Sequence, residues 1–376
     1  MDSAEFARLV SEADLPGATG MIVNAEGIVA AHQTGLANTE NAAPMTLDTP
    51  CQIASMTKAL VAVAALQLVE AEKLNLNGPI EAFLPQLAKP QVLTGFADDG
   101  SPETRDAVRS VTLRYLLTHT SGFGYAFVQK DVLQYFVATG MPEAGERKAI
   151  EVPLLFDPGD DWAYGVSMDW VGLAIEAVTG ERLRDYLREN VLGPLGMDAT
   201  GFHDTPPEGL AGVHARLPDG GFATLPLFLG GGEFDNGGGG LVSTANDYVK
   251  FLRAMLRGGE LDGNRILSEA SMADIECNQI GNLRAGRMET TMPEVSNVYD
   301  ALPDQDPGWG LGMLVNREPG PNGRAPGSMS WAGVFNSYYW IDPASDRAGL
   351  FMTQLSPFGD RQALEVFGAL ERAAYA

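Results

Sequence analysis

Histidine, cysteine and positive charge are all scarce in this chain, and each scarcity excludes something. The four histidines, at positions 32, 119, 203 and 214, form no H-E-x-x-H or comparable ligand spacing. A metal site is therefore not expected, and His119, in a Thr-Ser-Gly context, reads as a holder of local structure rather than a base. The two cysteines, Cys51 and Cys277, lie far apart in sequence, so a disulfide framework is not expected and a reducing cytoplasm is the expected compartment. Twenty-five Lys and Arg face 49 Asp and Glu, giving a net charge of −24. That sign opposes binding to nucleic acid or an anionic membrane. No basic stretch followed by an apolar one opens the chain, so no signal peptide is expected. The most apolar run, Ala59–Val69, is broken by Gln67 and is too short to span a bilayer. G-x-S-x-G is missing as well. Gly165-Val166-Ser167-Met168-Asp169 fails at its last position, which disfavours a strand–elbow–helix nucleophile.

What the chain does have is apolar residues, 45% of 376, enough for a large core. A short amphipathic helix is expected over Asp2–Glu12. The apolar runs on either side of Asn24-Ala25-Glu26-Gly27 read as a β-hairpin. From Ile53 to Leu74 the pattern is helical and apolar on nearly every side, the mark of a buried helix. Lys89–Ser110 reads as a loop or small hairpin. Helical patterns recur at Leu113–Leu117, Met168–Val178, Arg182–Val191, Thr244–Leu256 and Asp360–Ala374. Strand patterns cluster late, at Trp309–Val315, Met329–Phe335, Ser337–Ile341 and Gly349–Gln354. Gly230–Gly240 holds seven glycines in eleven positions without the Lys-Ser/Thr ending of a phosphate loop. It reads as a flexible surface loop at a site rim. Strands at both ends and helices between them predict an α/β (α+β) domain from residues 1–85 and 238–376, with a mainly helical domain, 86–237, inserted in it.

Three stretches carry chemistry. The first is Ser55-Met56-Thr57-Lys58. Of the six lysines only Lys58 has a serine three residues before it, and positions i and i+3 share a helix face. Ser55 at a helix start sits in positive dipole potential. Lys58 in an apolar run is desolvated, which favours the neutral amine able to accept the serine proton. The competing reading is an N-cap serine and a snorkelling lysine. The second is Phe156-Asp157-Pro158-Gly159-Asp160-Asp161-Trp162-Ala163-Tyr164, where a Pro-Gly turn presents Tyr164 as a proton relay or as an ordinary half-buried tyrosine. The third is Ser330-Trp331-Ala332-Gly333-Val334-Phe335-Asn336. Small residues there let another backbone or a ligand come close, and a free N–H at the strand edge can join that of Ser55 in holding an oxyanion.

These elements, in this order, resemble the serine β-lactamases and penicillin-binding proteins of the class C-like branch, and within it most of all the family VIII carboxylesterases. Ser55-Met56-Thr57-Lys58 matches S-x-x-K, Tyr164 the second-motif tyrosine, and Trp331-Ala332-Gly333 the place of Lys-Thr-Gly. The stretches Leu116–Gly122, Gly238–Thr244 and Gln91–Phe96 add to the likeness. The resemblance implies a β-lactamase-like fold, a central antiparallel sheet flanked by helices. It implies Ser55 as nucleophile and Lys58 and Tyr164 as proton carriers. Val334 N–H would complete the oxyanion hole, with Trp331, Gly333 and Tyr125 around the substrate, and Asp169 would hold the motif tryptophan. No cofactor is implied, and the partner is a small ester. Two departures separate the chain from the β-lactamases: Val166 stands where they have asparagine, and Trp331 where they have a cation. No lysine follows Lys250 and no histidine follows His214, leaving Arg317 or Arg324 as the cations that could substitute. Ester hydrolysis is the expected activity. β-Lactam or D-amino-acid peptide cleavage, acyl transfer and a non-catalytic scaffold are the alternatives.

Overall fold

The structure, a computed structural model, describes residues 1–143, 145–218 and 220–376. Its frame is an eight-stranded, wholly antiparallel sheet drawn from both ends of the chain. Across it the strands run Gly308–Trp309, Leu314–Val315, Met329–Gly333, Ser337–Asp342, Arg347–Met352, Gly17–Val23, Ile28–Asn38 and Ala43–Pro44. The amino-terminal strand Gly17–Val23 pairs with Arg347–Met352, so closing the sheet needs both ends of the chain. This is a β-lactamase-like, mixed α/β fold.

Helices cover both faces. Ser3–Glu12 and Arg361–Ala374 pack together on one face, and Ala245–Leu256 lies against the other. Side-chain caps begin several of them as their sequences prescribe. Asp2, Thr112, Thr244, Ser268 and Asp360 each accept a bond from the N–H three residues on. The central helix Thr57–Glu70 is buried on every side from Thr57 to Leu66. It has no polar face because it packs on helix Ser167–Thr179 as well as on Leu183–Leu187.

Most expected elements stand where their patterns put them, including the hairpin of Gln91–Phe96 and Pro102–Asp106. Three differ. The Ser-x-x-Lys segment begins in a 3-10 turn, Ala54–Met56, before the α-helix starts at Thr57. Trp309–Val315 is two short strands rather than one, because Gly310–Met313 turns between them. Helices Lys130–Thr139 and Glu269–Glu276 were not anticipated.

One contact fixes the site strand against the nucleophile turn. A Cβ on Gly333 would lie 2.5 Å from the Ile53 carbonyl oxygen. Strand Met329–Gly333 therefore approaches residues 53–54 only because position 333 has no side chain. Gly333→Ala should cost about 1–3 kcal/mol through overpacking. A lower thermal midpoint, with kcat falling further than stability alone explains, is the expected measurement. Wild-type values for both would show that the approach is loose.

Candidate functional site

Ser55 lies in the 3-10 turn, where side chains three apart nearly eclipse, and this brings it over Lys58. The Ala54 backbone just before it is left-handed, with φ of 45°, a strained conformation for a residue with a Cβ. Lys58 Nζ is 2.9 Å from Ser55 Oγ, 3.3 Å from Tyr125 Oη and 2.5 Å from the Gly238 carbonyl oxygen. Lys58 is 1% exposed. The Gly238 oxygen can only accept, so it always takes one amine N–H. The lone pair of a neutral Lys58 is then left for Ser55 or Tyr125, both hydroxyls able to donate.

Gly238 is the unforeseen centre of the site. Its N–H donates to Asp169 Oδ1 at 3.0 Å while its carbonyl holds Lys58. A Cβ there would meet Asp169 Oδ2 at 2.6 Å and Tyr125 Oη at 2.9 Å. The expected flexible surface loop is therefore corrected: Gly237–Gly240 is buried and built into the site, and only its earlier part, Gly231–Glu233, is exposed. The glycine run gave a sign of this, since glycine also marks close backbone approach. Asp169 is corrected too. It does not hold Trp331 but the Gly238 peptide, from a position nearly sealed from water at 2% exposure.

Burial pushes the Lys58 amine well below its usual range, and the Asp169 carboxylate raises it part of the way back. The same burial raises Asp169, opposed by Lys58 and by the Gly238 N–H. Burial also raises the phenols of Tyr164 and Tyr125, so both are protonated near neutrality. Trp331 Nε1 donates to Tyr164 Oη at 2.9 Å, which leaves the phenolic O–H free to donate elsewhere. Lys58 and Tyr164 are not hydrogen-bonded to each other. Nζ sits 4.8 Å from the Tyr164 ring centroid, over its face.

The remaining residues fall around this centre. Val334 follows the strand end at Gly333, and its N–H has no backbone acceptor among the described residues. Val166 is buried and precedes helix Ser167–Thr179, bringing no polar group where an asparagine amide would stand. His119 is fully buried, 4.8 Å from the Tyr164 ring and 5.1 Å from Trp309 by ring centroids. Neither of its nitrogens has a partner among the described residues, and burial drives its pKa far down. Its ring packs against Tyr164 and Trp309 and, contrary to the expectation, its side chain holds no helix start or loop by a hydrogen bond among the described residues. Arg317 pairs with Asp306 and two carbonyls, and the buried Arg324 pairs with Glu371. Neither supplies the missing cation. Cys51 is buried with its thiol pushed up to about 12, an inert group. Among the described residues no His, Cys, Asp and Glu cluster could hold a metal, and no helix is long and apolar enough to cross a membrane.

Two expectations follow. If neutral Lys58 takes the serine proton, kcat/KM rises as pH climbs through the lowered amine pKa. Asp169→Asn removes the charge that lifts that pKa, so the rising limb should move to lower pH. A pH–rate profile with an unmoved or upward-moved limb would contradict this. Lys58→Arg keeps the charge but cannot lose its proton. It should cost roughly 10²–10⁴-fold in kcat, as much as Lys58→Ala, and retained turnover would make Lys58 a mere electrostatic support.

Known proteins share this architecture along nearly the whole chain. The family described as beta-lactamase matches residues 3–372. Monacolin J acid methylbutanoyltransferase of Aspergillus terreus is 32% identical over 357 residues, covering 89% of this chain and 83% of that protein. Lovastatin esterase of Penicillium rubens is 31% identical over 322 residues, covering 82% and 80%. A solved mutant of simvastatin synthase from Aspergillus terreus superposes with a TM-score of 0.83 at 29% identity, covering 99% of this chain and 95% of that one. In length, fold and motif order, the chain belongs to the beta-lactamase family of serine hydrolases and acyltransferases.

Proposed function

We propose that this protein is a serine carboxylesterase, of the family VIII kind, that cleaves esters through an acyl-enzyme on Ser55. The observation that carries the reading is the 2.9 Å contact of Ser55 Oγ with a buried lysine amine. Lys58 takes the Ser55 proton as Oγ attacks the ester carbonyl, and the N–H groups of Ser55 and Val334 receive the oxyanion. The carbon–oxygen bond to the alcohol breaks as Tyr164 gives its proton to the departing oxygen. The resulting phenolate lies against the Lys58 ammonium and accepts the Trp331 N–H. In the second half, water loses a proton to that phenolate and attacks the acyl carbon. Ser55 leaves and recovers its proton from Lys58. All atoms come from ester, water and three side chains, so the cycle needs no cofactor.

Acyl transfer is the second reading. The likeness to a methylbutanoyltransferase favours it, and it uses the same residues with an alcohol in place of water. β-Lactam hydrolysis fits less well. With Arg317 and Arg324 engaged elsewhere, neither of the two candidate cations is free to grip a substrate carboxylate. One lost charge-assisted hydrogen bond costs about 1.5–3 kcal/mol, roughly ten- to a hundredfold in kcat/KM.

A fluorophosphonate should add one label, on the peptide carrying Ser55, and none to Ser55→Ala. On the same preparation, kcat/KM for p-nitrophenyl butyrate should exceed that for nitrocefin. Labelling elsewhere would remove Ser55 as nucleophile, and a higher nitrocefin value would replace the esterase by a β-lactamase.

A further inference from the structure

Tyr164 fixes which part of an ester lies where. In the cycle above it protonates the departing oxygen, so the carbon chain of the alcohol must extend from the carbonyl past its hydroxyl. A small cavity opens at that place. Ser55, Tyr164, Trp331, Ala332 and Val334 line it together with Phe127, Met288 and Phe358. The last three offer only aromatic carbon and one thioether. The centre of a water-sized sphere has about 20 Å³ to move in, where one water takes roughly 10–15 Å³ on that measure.

The apolar walls come from three distant parts of the chain, and one segment fastens them. Thr291 donates from its N–H to the Phe127 carbonyl at 3.1 Å and from its hydroxyl to the Ala126 carbonyl. Phe358 donates to the Val295 carbonyl at 2.9 Å and accepts from Asn297 N–H at 2.9 Å. Met288 begins this same stretch, and both Met288 and Phe358 are buried. The cavity is thus shaped before a substrate arrives.

We infer that this cavity is the alcohol subsite, which takes the alkyl group of the leaving alcohol in hydrolysis and of the acceptor in acyl transfer, and that it selects short unbranched primary alcohols. The inference rests on the acyl-enzyme reading above. In transfer, the alcohol oxygen bonds to the acyl carbon while its proton passes to the Tyr164 phenolate. The bond from that carbon to Ser55 breaks, and Ser55 takes its proton back from Lys58. One ester bond forms and one breaks, with no change of oxidation state. Water and alcohol compete for the same place, and each methylene buried against the apolar wall favours the alcohol roughly fourfold. The gain ends where the cavity is full, and a volume of about 20 Å³ fills within the first few carbons.

The test uses vinyl butyrate as donor and primary alcohols from methanol to 1-octanol at one concentration, with ester and acid products measured together. The ratio of transfer to hydrolysis should climb from methanol, peak at or before butanol and then fall. Met288→Ala should move the peak to longer alcohols while the order of rates along vinyl acetate to vinyl octanoate stays the same. Phe127→Leu enlarges the same apolar wall at a second point and should move the peak the same way, which covers a failure of the first variant to fold. A ratio that rises without a peak to octanol overturns the inference. So does a shift confined to the acyl series, which would make the cavity an acyl pocket. Intact-mass detection of butyryl on Ser55 separates the two levels. Its presence with neither shift overturns the subsite alone, and its absence overturns the acyl-enzyme reading beneath it.

Discussion

Lys58 keeps an amine almost out of reach of water and within a hydrogen bond of Ser55. Burying an ammonium that deeply is costly unless it is paired or loses its proton. Among the described residues no carboxylate is in contact with it. Asp169 is also buried, but its bond goes to the intervening Gly238 peptide. That peptide turns one carbonyl dipole toward Lys58 and gives its N–H to the carboxylate. The arrangement fixes the amine in place while giving the ammonium less relief than a direct ion pair. Such a lysine is poised to be neutral, and a neutral amine beside a serine hydroxyl is a base beside a nucleophile.

Much of the surrounding architecture serves this placement. The central helix is apolar on all sides because helices Ser167–Thr179 and Leu183–Leu187 pack on it, and it carries Lys58 into that interior. Helix Ser167–Thr179 also carries Asp169, and Tyr164 stands three residues before it begins. The site strand approaches the nucleophile turn because Gly333 has no side chain, and the same strand carries Trp331, which orients Tyr164. His119, Trp162 and Trp309 complete the aromatic packing around that phenol. Tyr164 is thereby held as a proton donor by packing and by one indole N–H, with no charged group in contact with its oxygen.

Features set by local pattern could be read from the amino-acid order alone. The Ser55–Lys58 spacing is a local fact, and so are the buried helix, the hairpin at residues 24–27 and the helices capped by Asp2, Thr112, Thr244 and Asp360, though not the one capped by Ser268. The sheet strands Met329–Gly333 and Ser337–Asp342 were legible because each is an apolar run near a turn. What could not be read depends on contacts between distant segments. Nothing near Gly238 says that its peptide will lie between Lys58 and Asp169. The walls Phe127, Met288 and Phe358 look like ordinary core residues until the fold brings them to Ser55. Asp169 came from the family resemblance, with Trp331 as its expected partner; its actual partner, the Gly238 peptide, was not legible, because position on a helix does not say which loop will pack over it. The pairing of Arg317 and Arg324 with acids elsewhere likewise emerges only in three dimensions.

The central claim concerns one amine, and it can be observed directly. The chain has only six lysines, so a protein labelled with ¹³C at the lysine ε carbons gives few signals, and Lys58→Arg assigns the one of interest. In a pH titration Lys58 should lose its proton well below the ordinary lysine value of about 10.4. A Lys58 signal that titrates at the ordinary value would mean a resting ammonium beside Ser55, and would contradict the account of how the serine is activated.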